Sequence, residues 1–335
     1  MSVFAPMLSS LWRQIEDYGI DPGPLFRKQG IVGSAPFDPN TRVSAIRIDR
    51  VMVDAAERSG DQFFGLKEAN YFLPSHIGPL GFAWLASTSL RSAIERLQRY
   101  IKVIHEKIQI TTVEDPQNLE IRIHADIESA NSYQRDIGYL AVLTRMCRFV
   151  SGDDWNPVRV CVAHPQPIDA SYFFQMFRCP VEFNADLNAI CIDTCQAGRA
   201  LTGSNKQLAQ LNDHIVVRYL ASQMGDDIVN RVKAAILEHL GEGSVSEATV
   251  AKDLHMSSRK LHRRLSSENS SFKAVLLEIR TELANQYVND ASLTLTEISY
   301  MLGFSEISSF SRAYKRWTGQ SPSMARKSQE QHTAI

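Results

Sequence analysis

Ile298-Ser299-Tyr300-Met301-Leu302-Gly303-Phe304-Ser305 has a counterpart earlier in the chain, Val250-Ala251-Lys252-Asp253-Leu254-His255-Met256-Ser257. Small or apolar residues match at the first two positions. Leu254 matches Leu302, Met256 matches Phe304, and Ser257 matches Ser305. Each copy has the logic of a helix-turn-helix, in which a short helix ends at a tight turn and a second helix leaves at a steep angle. Gly303 suits the turn because glycine adopts a positive φ without steric cost. His255 holds that place in the first copy. Thr294-Leu295-Thr296-Glu297 is a capping box that opens the first helix of the second unit.

The helices that follow have two faces. In the second copy Phe310, Ala313, Tyr314 and Trp317 recur at helical spacing and are expected in the core. Ser308, Ser311, Arg312 and Lys315 lie opposite. In the first copy Leu261 and Leu265 face inward, which leaves Arg259, Lys260, His262, Arg263 and Arg264 outside. Hydroxyls and cations on one helix face suit a DNA major groove, where arginine reaches guanine edges and serine or lysine reaches bases or phosphates. A basic run alone is also what a solvated helix face looks like. Two units with cationic faces at the same offset after the turn favour the nucleic-acid reading. Between them, residues 272–288 read as one helix, about 25 Å long at 1.5 Å per residue. Such a rod can hold two recognition helices in successive major grooves, roughly 34 Å apart.

Outward from this region the texture changes at Gly225-Asp226-Asp227, a turn-like break. Residues 228–335 carry 14 Lys and Arg against 11 Asp and Glu, a net +3, in a chain whose total is −1. The reading is of residues 1–203 as an α+β regulatory domain, 204–227 as a helix and linker, 228–327 as an all-α domain with two helix-turn-helix units joined by a long helix, and 328–335 as a tail. In the first domain, residues 50–59, 89–104 and 139–150 have helical periodicity. Residues 107–113 and 119–125 alternate as a hairpin, and 158–163 and 189–193 read as strands. Residues 204–224 form a helix on which Leu208, Leu211, Ile215 and Tyr219 make an apolar stripe. It serves either packing on its own domain or a homodimer seam.

At 335 residues, 44% hydrophobic and 22% charged, the chain can bury a sizeable core. No apolar run approaches the ~18 residues of a membrane span, and Met1-Ser2-Val3-Phe4-Ala5-Pro6 does not resemble a secretory signal. A cytoplasmic location is therefore expected. Five cysteines, Cys147, Cys161, Cys179, Cys191 and Cys195, argue against a disulfide framework and read as buried thiols. No nucleophile elbow, phosphate loop, dinucleotide fingerprint or metal-binding histidine motif occurs. Gly78-Pro79-Leu80-Gly81 reads as a turn before a strand or helix. His105, His124 and His164 lack the spacing of a site and are expected to be structural. No enzyme activity, metal or cofactor is expected.

Arg280, Ala284, Leu295, Ile298, Gly303-Phe304-Ser305, Phe310, Arg312, Tyr314-Lys315-Arg316, Gly319, Ser321-Pro322 and Arg326 resemble the signature of the AraC/XylS family of bacterial transcription regulators. Residues 257–265 resemble its first recognition helix. Tyr18-Gly19-Ile20-Asp21-Pro22, Ser59-Gly60-Asp61 and Pro180-Val181-Glu182-Phe183 resemble the regulatory domain of the subgroup of ornithine-utilisation and virulence regulators. The resemblance implies base contacts from Arg259, His262 and Arg263, with Lys260 beside them, and from Ile307, Ser308, Ser311 and Arg312, with Lys315 on phosphate. Ile307 departs from the polar residue frequent there and would meet a thymine methyl instead of donating a hydrogen bond. His255 is a second departure. The resemblance further implies a dimeric activator that meets promoter DNA and RNA polymerase. Control would come through a small effector or a protein partner at the N-terminal domain. The aromatics Phe63-Phe64, Tyr71-Phe72, Phe82, Trp84 and Phe173-Phe174 fit either an effector pocket or an ordinary core, and no effector-binding residue is assigned.

Overall fold

The structure, a computed structural model, describes residues 2–33, 38, 41–126, 132–223, 228–240, 245–288 and 293–326. The break at Gly225-Asp226-Asp227 and the tail at 328–335 lie outside the described residues. The chain forms two units, Met1–Val216 and Val217–Ile335.

The first unit is α+β. Strands β1 (Ser2–Phe4) and β2 (Arg42–Ser44) pair antiparallel. The main sheet comprises β3 (Ile108–Glu114), β4 (Asn118–Ala125), β5 (Arg159–Val162), β6 (Val181–Phe183) and β7 (Asn188–Asp193), in the order β3-β4-β7-β5-β6. The alternation in β3 and β4 settles which face is covered. Ile108, Ile110, Leu119, Ile121 and Ile123 are buried, whereas Gln109 and Thr111 are exposed, as a strand with opposed faces requires. The pairs are antiparallel except β5 with β6.

The helices of this unit are α1 (Leu8–Asp17), α2 (Pro22–Lys28), α3 (Ala45–Ser59), α4 (Phe64–Lys67), α5 (Pro79–Leu85), α6 (Leu90–Ile104), α7 (Tyr133–Ser151), α8 (Ser171–Phe177), α9 (Thr194–Gly198) and the start of α10 (Lys206–Gln223). Two of them start earlier than periodicity predicts, α3 five residues before 50 and α7 six before 139. The cause is the same in both. A charged residue sits on the core face of the early turns, Asp49 in α3 and Arg135 in α7. They bond each other, Arg135 Nη1 to Asp49 Oδ2 at 2.5 Å, and Arg135 Nε also donates to Asp136 Oδ1 at 3.1 Å. Buried charge demands this kind of pairing. The Gly78 turn does precede a helix: Gly78 has φ 58° and Pro79 opens α5. His105 is buried, its Nδ1 accepting from the Lys107 amide, and His164 lies 2.9 Å from Asp136. The cysteines are free. Cys147, Cys161 and Cys191 are buried as expected, but Cys179 is half-buried and Cys195 exposed. Cys195 sits in the first turn of the five-residue α9, whose buried position is taken by Ala197, which leaves the thiol on the outer side.

The second unit is all helical: α11 (Ile228–His239), α12 (Glu247–Asp253), α13 (Ser258–Ser267), α14 (Phe272–Val288), α15 (Leu295–Met301) and α16 (Ile307–Thr318). Its core joins Val232 and Ile236 of α11, Leu261 and Leu265 of α13, Ile279 and Leu283 of α14, Ile298 of α15, and Phe310 of α16. No helix among the described residues is long and apolar enough to cross a membrane.

Candidate nucleic-acid interface

The two repeats close their turns with the same hydrogen bonds. In the first, the Met256 amide donates to Ala251 O at 2.9 Å and the His255 amide to Lys252 O at 3.0 Å. In the second, Phe304 donates to Ser299 O at 3.0 Å and Gly303 to Tyr300 O at 2.9 Å. This is the Schellman arrangement, which satisfies the last carbonyls of a helix by placing the next residue in the left-handed region. His255 adopts φ 53° where Gly303 has φ 72°, so the first copy accepts the strain of a side chain at that position. Met256 and Phe304, one residue on, both pack against the core.

The second helices start differently. Ser257 caps α13, accepting from the Lys260 amide at 3.3 Å. Its counterpart Ser305 does not cap. Glu306 takes the N-cap position of α16 without a side-chain cap bond, and its carboxylate accepts from Ser308 Oγ at 3.0 Å. The capping box on α15 is complete: Thr294 Oγ1 accepts from the Glu297 amide, and Glu297 Oε2 accepts from the Thr294 amide.

On α13, Leu261 and Leu265 are buried while Arg259, Lys260, His262 and Arg263 are exposed and Arg264 is half-buried. On α16, Phe310, Ala313 and Tyr314 are buried and Trp317 packs beside them. Ile307, Ser308, Arg312 and Lys315 are exposed, and Ser311 is half-buried. Elsewhere among the described residues of the unit, Lys233 pairs with Glu278 at 2.6 Å and His239 lies 2.5 Å from Asp253, whereas Lys252 and Lys273 are exposed without an ion pair. Among the described residues, Arg259, Lys260, Arg263, Arg312 and Lys315 form no ion pair. These two helices thus present five cations without an ion pair, the kind of electrostatic footprint that phosphate contact requires.

Two arginines noted only as part of a sequence signature acquire definite tasks. Arg280 of α14 donates from Nε to Leu302 O at 3.0 Å, and its guanidinium stacks 4.7 Å from the Phe304 ring centroid. Arg326 Nε donates to Val288 O, at the end of α14, at 3.1 Å. The linking helix is thus tied to the turn of the second unit and capped at its own C-terminus.

Two helix-turn-helix units with exposed cationic second helices, following an α+β unit, define a DNA-binding transcription regulator. Residues 19–200 match the family described as the arabinose-binding N-terminal domain of AraC transcription regulators, and residues 250–328 match a helix-turn-helix domain family. The chain belongs to the AraC family. It is 28% identical to the ornithine utilization regulator of Pseudomonas aeruginosa over 92% of this chain and 91% of that one. It is 24% identical to the regulator VirS of Mycobacterium tuberculosis over 94% of each. The crystal structure of CdpR from Pseudomonas aeruginosa aligns with a TM-score of 0.45 at 20% identity, over 95% of this chain and 98% of that one. The matched family is one of transcription regulators, and both curated relatives are named as regulators, not enzymes.

Proposed function

We propose that the protein acts in the cytoplasm as a homodimeric activator whose α13 and α16 enter successive major grooves of promoter DNA. The observation that carries this reading is the unpaired, exposed charge on two helices presented by matching turns. Arg259, His262 and Arg263, with Lys260, supply the first contact set. Ile307, Ser308, Ser311 and Arg312 supply the second, with Lys315 on phosphate. Arg312→Ala is expected to cost roughly 1–3 kcal/mol of binding and to relax specificity at one base pair. Lys315→Ala should weaken all sequences alike and flatten the salt dependence. Footprints of both variants indistinguishable from wild type would sink the docking scheme.

Dimerisation is assigned to the apolar stripe of α10. Ala209, Asn212, Asp213 and Val216 occupy its buried face. Leu208 and Leu211 are 45% and 57% exposed, and Ile215 and Tyr219 half-buried. Two exposed leucines one turn apart favour a partner helix over packing on the chain's own domain. Leu211→Glu combined with Ile215→Glu should yield monomers by light scattering; an unchanged dimer would move the seam elsewhere. The first unit carries the control input, a small-molecule effector, and DNA-bound protein contacts RNA polymerase. Mapping its binding sites across the genome would identify the operator and the regulated genes.

A further inference from the structure

The interior of the first unit holds a cavity of about 40 Å³ lined by Asp49, Glu68, His105, Arg135 and Tyr139 together with Met7 and other apolar side chains. A second cavity, about 60 Å³ and walled by Phe72, Leu97, Ile101, Ile110 and Leu143, also reaches Met7 and Tyr139. The two spaces therefore adjoin, one with a polar wall and one almost wholly apolar.

The charges on the polar wall are unbalanced. Its cation, Arg135, is already held between Asp49 and Asp136. His105 is pushed down to about 4, chiefly by burial and then by Arg135 and Arg42, and so carries no charge near neutrality. Burial pushes the Tyr139 hydroxyl up, so it is neutral too. Glu68 sits between these groups with one contact. Its Oε1 lies 2.8 Å from Ser10 Oγ, while Ser10 Oγ is also 2.8 Å from Met7 O. A hydroxyl has one proton, and a carbonyl can only accept. If Ser10 donates to Met7, Glu68 must be the donor to Ser10 and is a neutral acid. Burial does push the Glu68 carboxyl up to about 7. Among the described residues its other oxygen, Oε2, has no hydrogen-bond partner.

We propose that the joined cavity binds a small aliphatic amine, its ammonium group on Glu68 and Asp49 and its chain in the apolar space beyond Tyr139. This deepens the reading of the first unit as an effector domain and rests on it. The pocket has no uncommitted cation to receive an anion, and it has a carboxyl ready to give up a proton. An entering alkylammonium bonds to the Glu68 carboxylate, and the displaced proton leaves to solvent. The arrangement thereby gains the positive charge it lacks, as a charge-assisted pair with the Glu68 carboxylate.

The test uses the full-length protein and three probes of equal length: n-butylamine, n-butanol and butyrate. Titration calorimetry on wild type is expected to show butylamine binding at least about tenfold tighter than either other probe. Its heat should vary with buffer ionisation enthalpy near pH 6.5, because a proton is released. Glu68→Gln should weaken butylamine by about tenfold or more and abolish that buffer dependence. No butylamine binding by wild type, or butyrate binding as tightly, overturns the proposal without reference to any variant. So does unchanged butylamine affinity in Glu68→Gln. If butylamine binds through Glu68 while the promoter footprint and transcription stay unchanged, the pocket stands and the effector reading of the domain fails.

Discussion

Replacing Asp213 by alanine is expected to destabilise the first unit by about 3–5 kcal/mol, the cost of leaving a buried charge without its partner. Arg96 of α6 donates from Nε to both Asp213 oxygens, at 3.1 and 2.9 Å, and from Nη1 to Ser87 Oγ at 3.1 Å. Both side chains are nearly inaccessible, 10% and 3% exposed. Removing the carboxylate strands a guanidinium that cannot lose its proton. The unfolding midpoint of the first unit in urea should fall accordingly. Removing both charges, with Arg96→Met and Asp213→Leu, should recover much of the loss, because an apolar pair of similar volume can replace a buried ion pair. Equal destabilisation by the single and double variants would show that shape rather than charge pairing matters here. The bond also orients α10. With Asp213 turned inward, Leu208 and Leu211 must point outward, so Asp213→Ala should also weaken association.

Phe310→Ala is expected to cost the second unit about 3–5 kcal/mol, the range for emptying a buried phenylalanine site. Phe310 is completely buried. Its ring lies 5.8 Å from both Phe304 and Tyr314. It therefore locks α16 onto the residue that closes the turn before it. Promoter binding should fall more steeply than for Arg312→Ala, since a loosened α16 loses every contact together. Phe310→Leu should retain most of both properties. A stable Phe310→Ala variant with normal affinity would mean that α16 is held by other contacts.

The second unit was the more legible part of the chain because its signals are local. A turn residue, a cap and a two-faced helix all fall within about 20 residues, and each repeat checks the other. The hairpin of β3 and β4 was legible for the same reason. What escaped sequence reading depends on distance. Asp49 and Arg135 are 86 positions apart, so each appears alone as a charge that spoils an apolar pattern, and periodicity by itself starts α3 and α7 too late. The three-residue strands β1, β2 and β6 are too short to show a period. The interior carboxyl of Glu68 had no signal, since a single glutamate in a short helical stretch looks like surface. On the interface, the exposed positions of α13 and α16 could be listed from periodicity. The tasks of Arg280 and Arg326 could not, because both act through backbone carbonyls more than 20 residues away.

The linking helix α14 is pinned by Arg280 partway along and by Arg326 at its end, and this constrains the DNA as well as the protein. In the proposed docking, a continuous helix held to the second unit in this way is expected to set both the distance and the angular phase between the two contact boxes. Inserting about five base pairs between those boxes would carry the second to the opposite side of the duplex. Inserting a full turn of roughly ten would restore the face but move the box about 34 Å further away. A promoter with either insertion leaves one recognition helix over the wrong sequence. Under the proposed docking, operators of this regulator are expected to tolerate base changes far better than changes in length, which promoter binding by spacer-insertion variants would check.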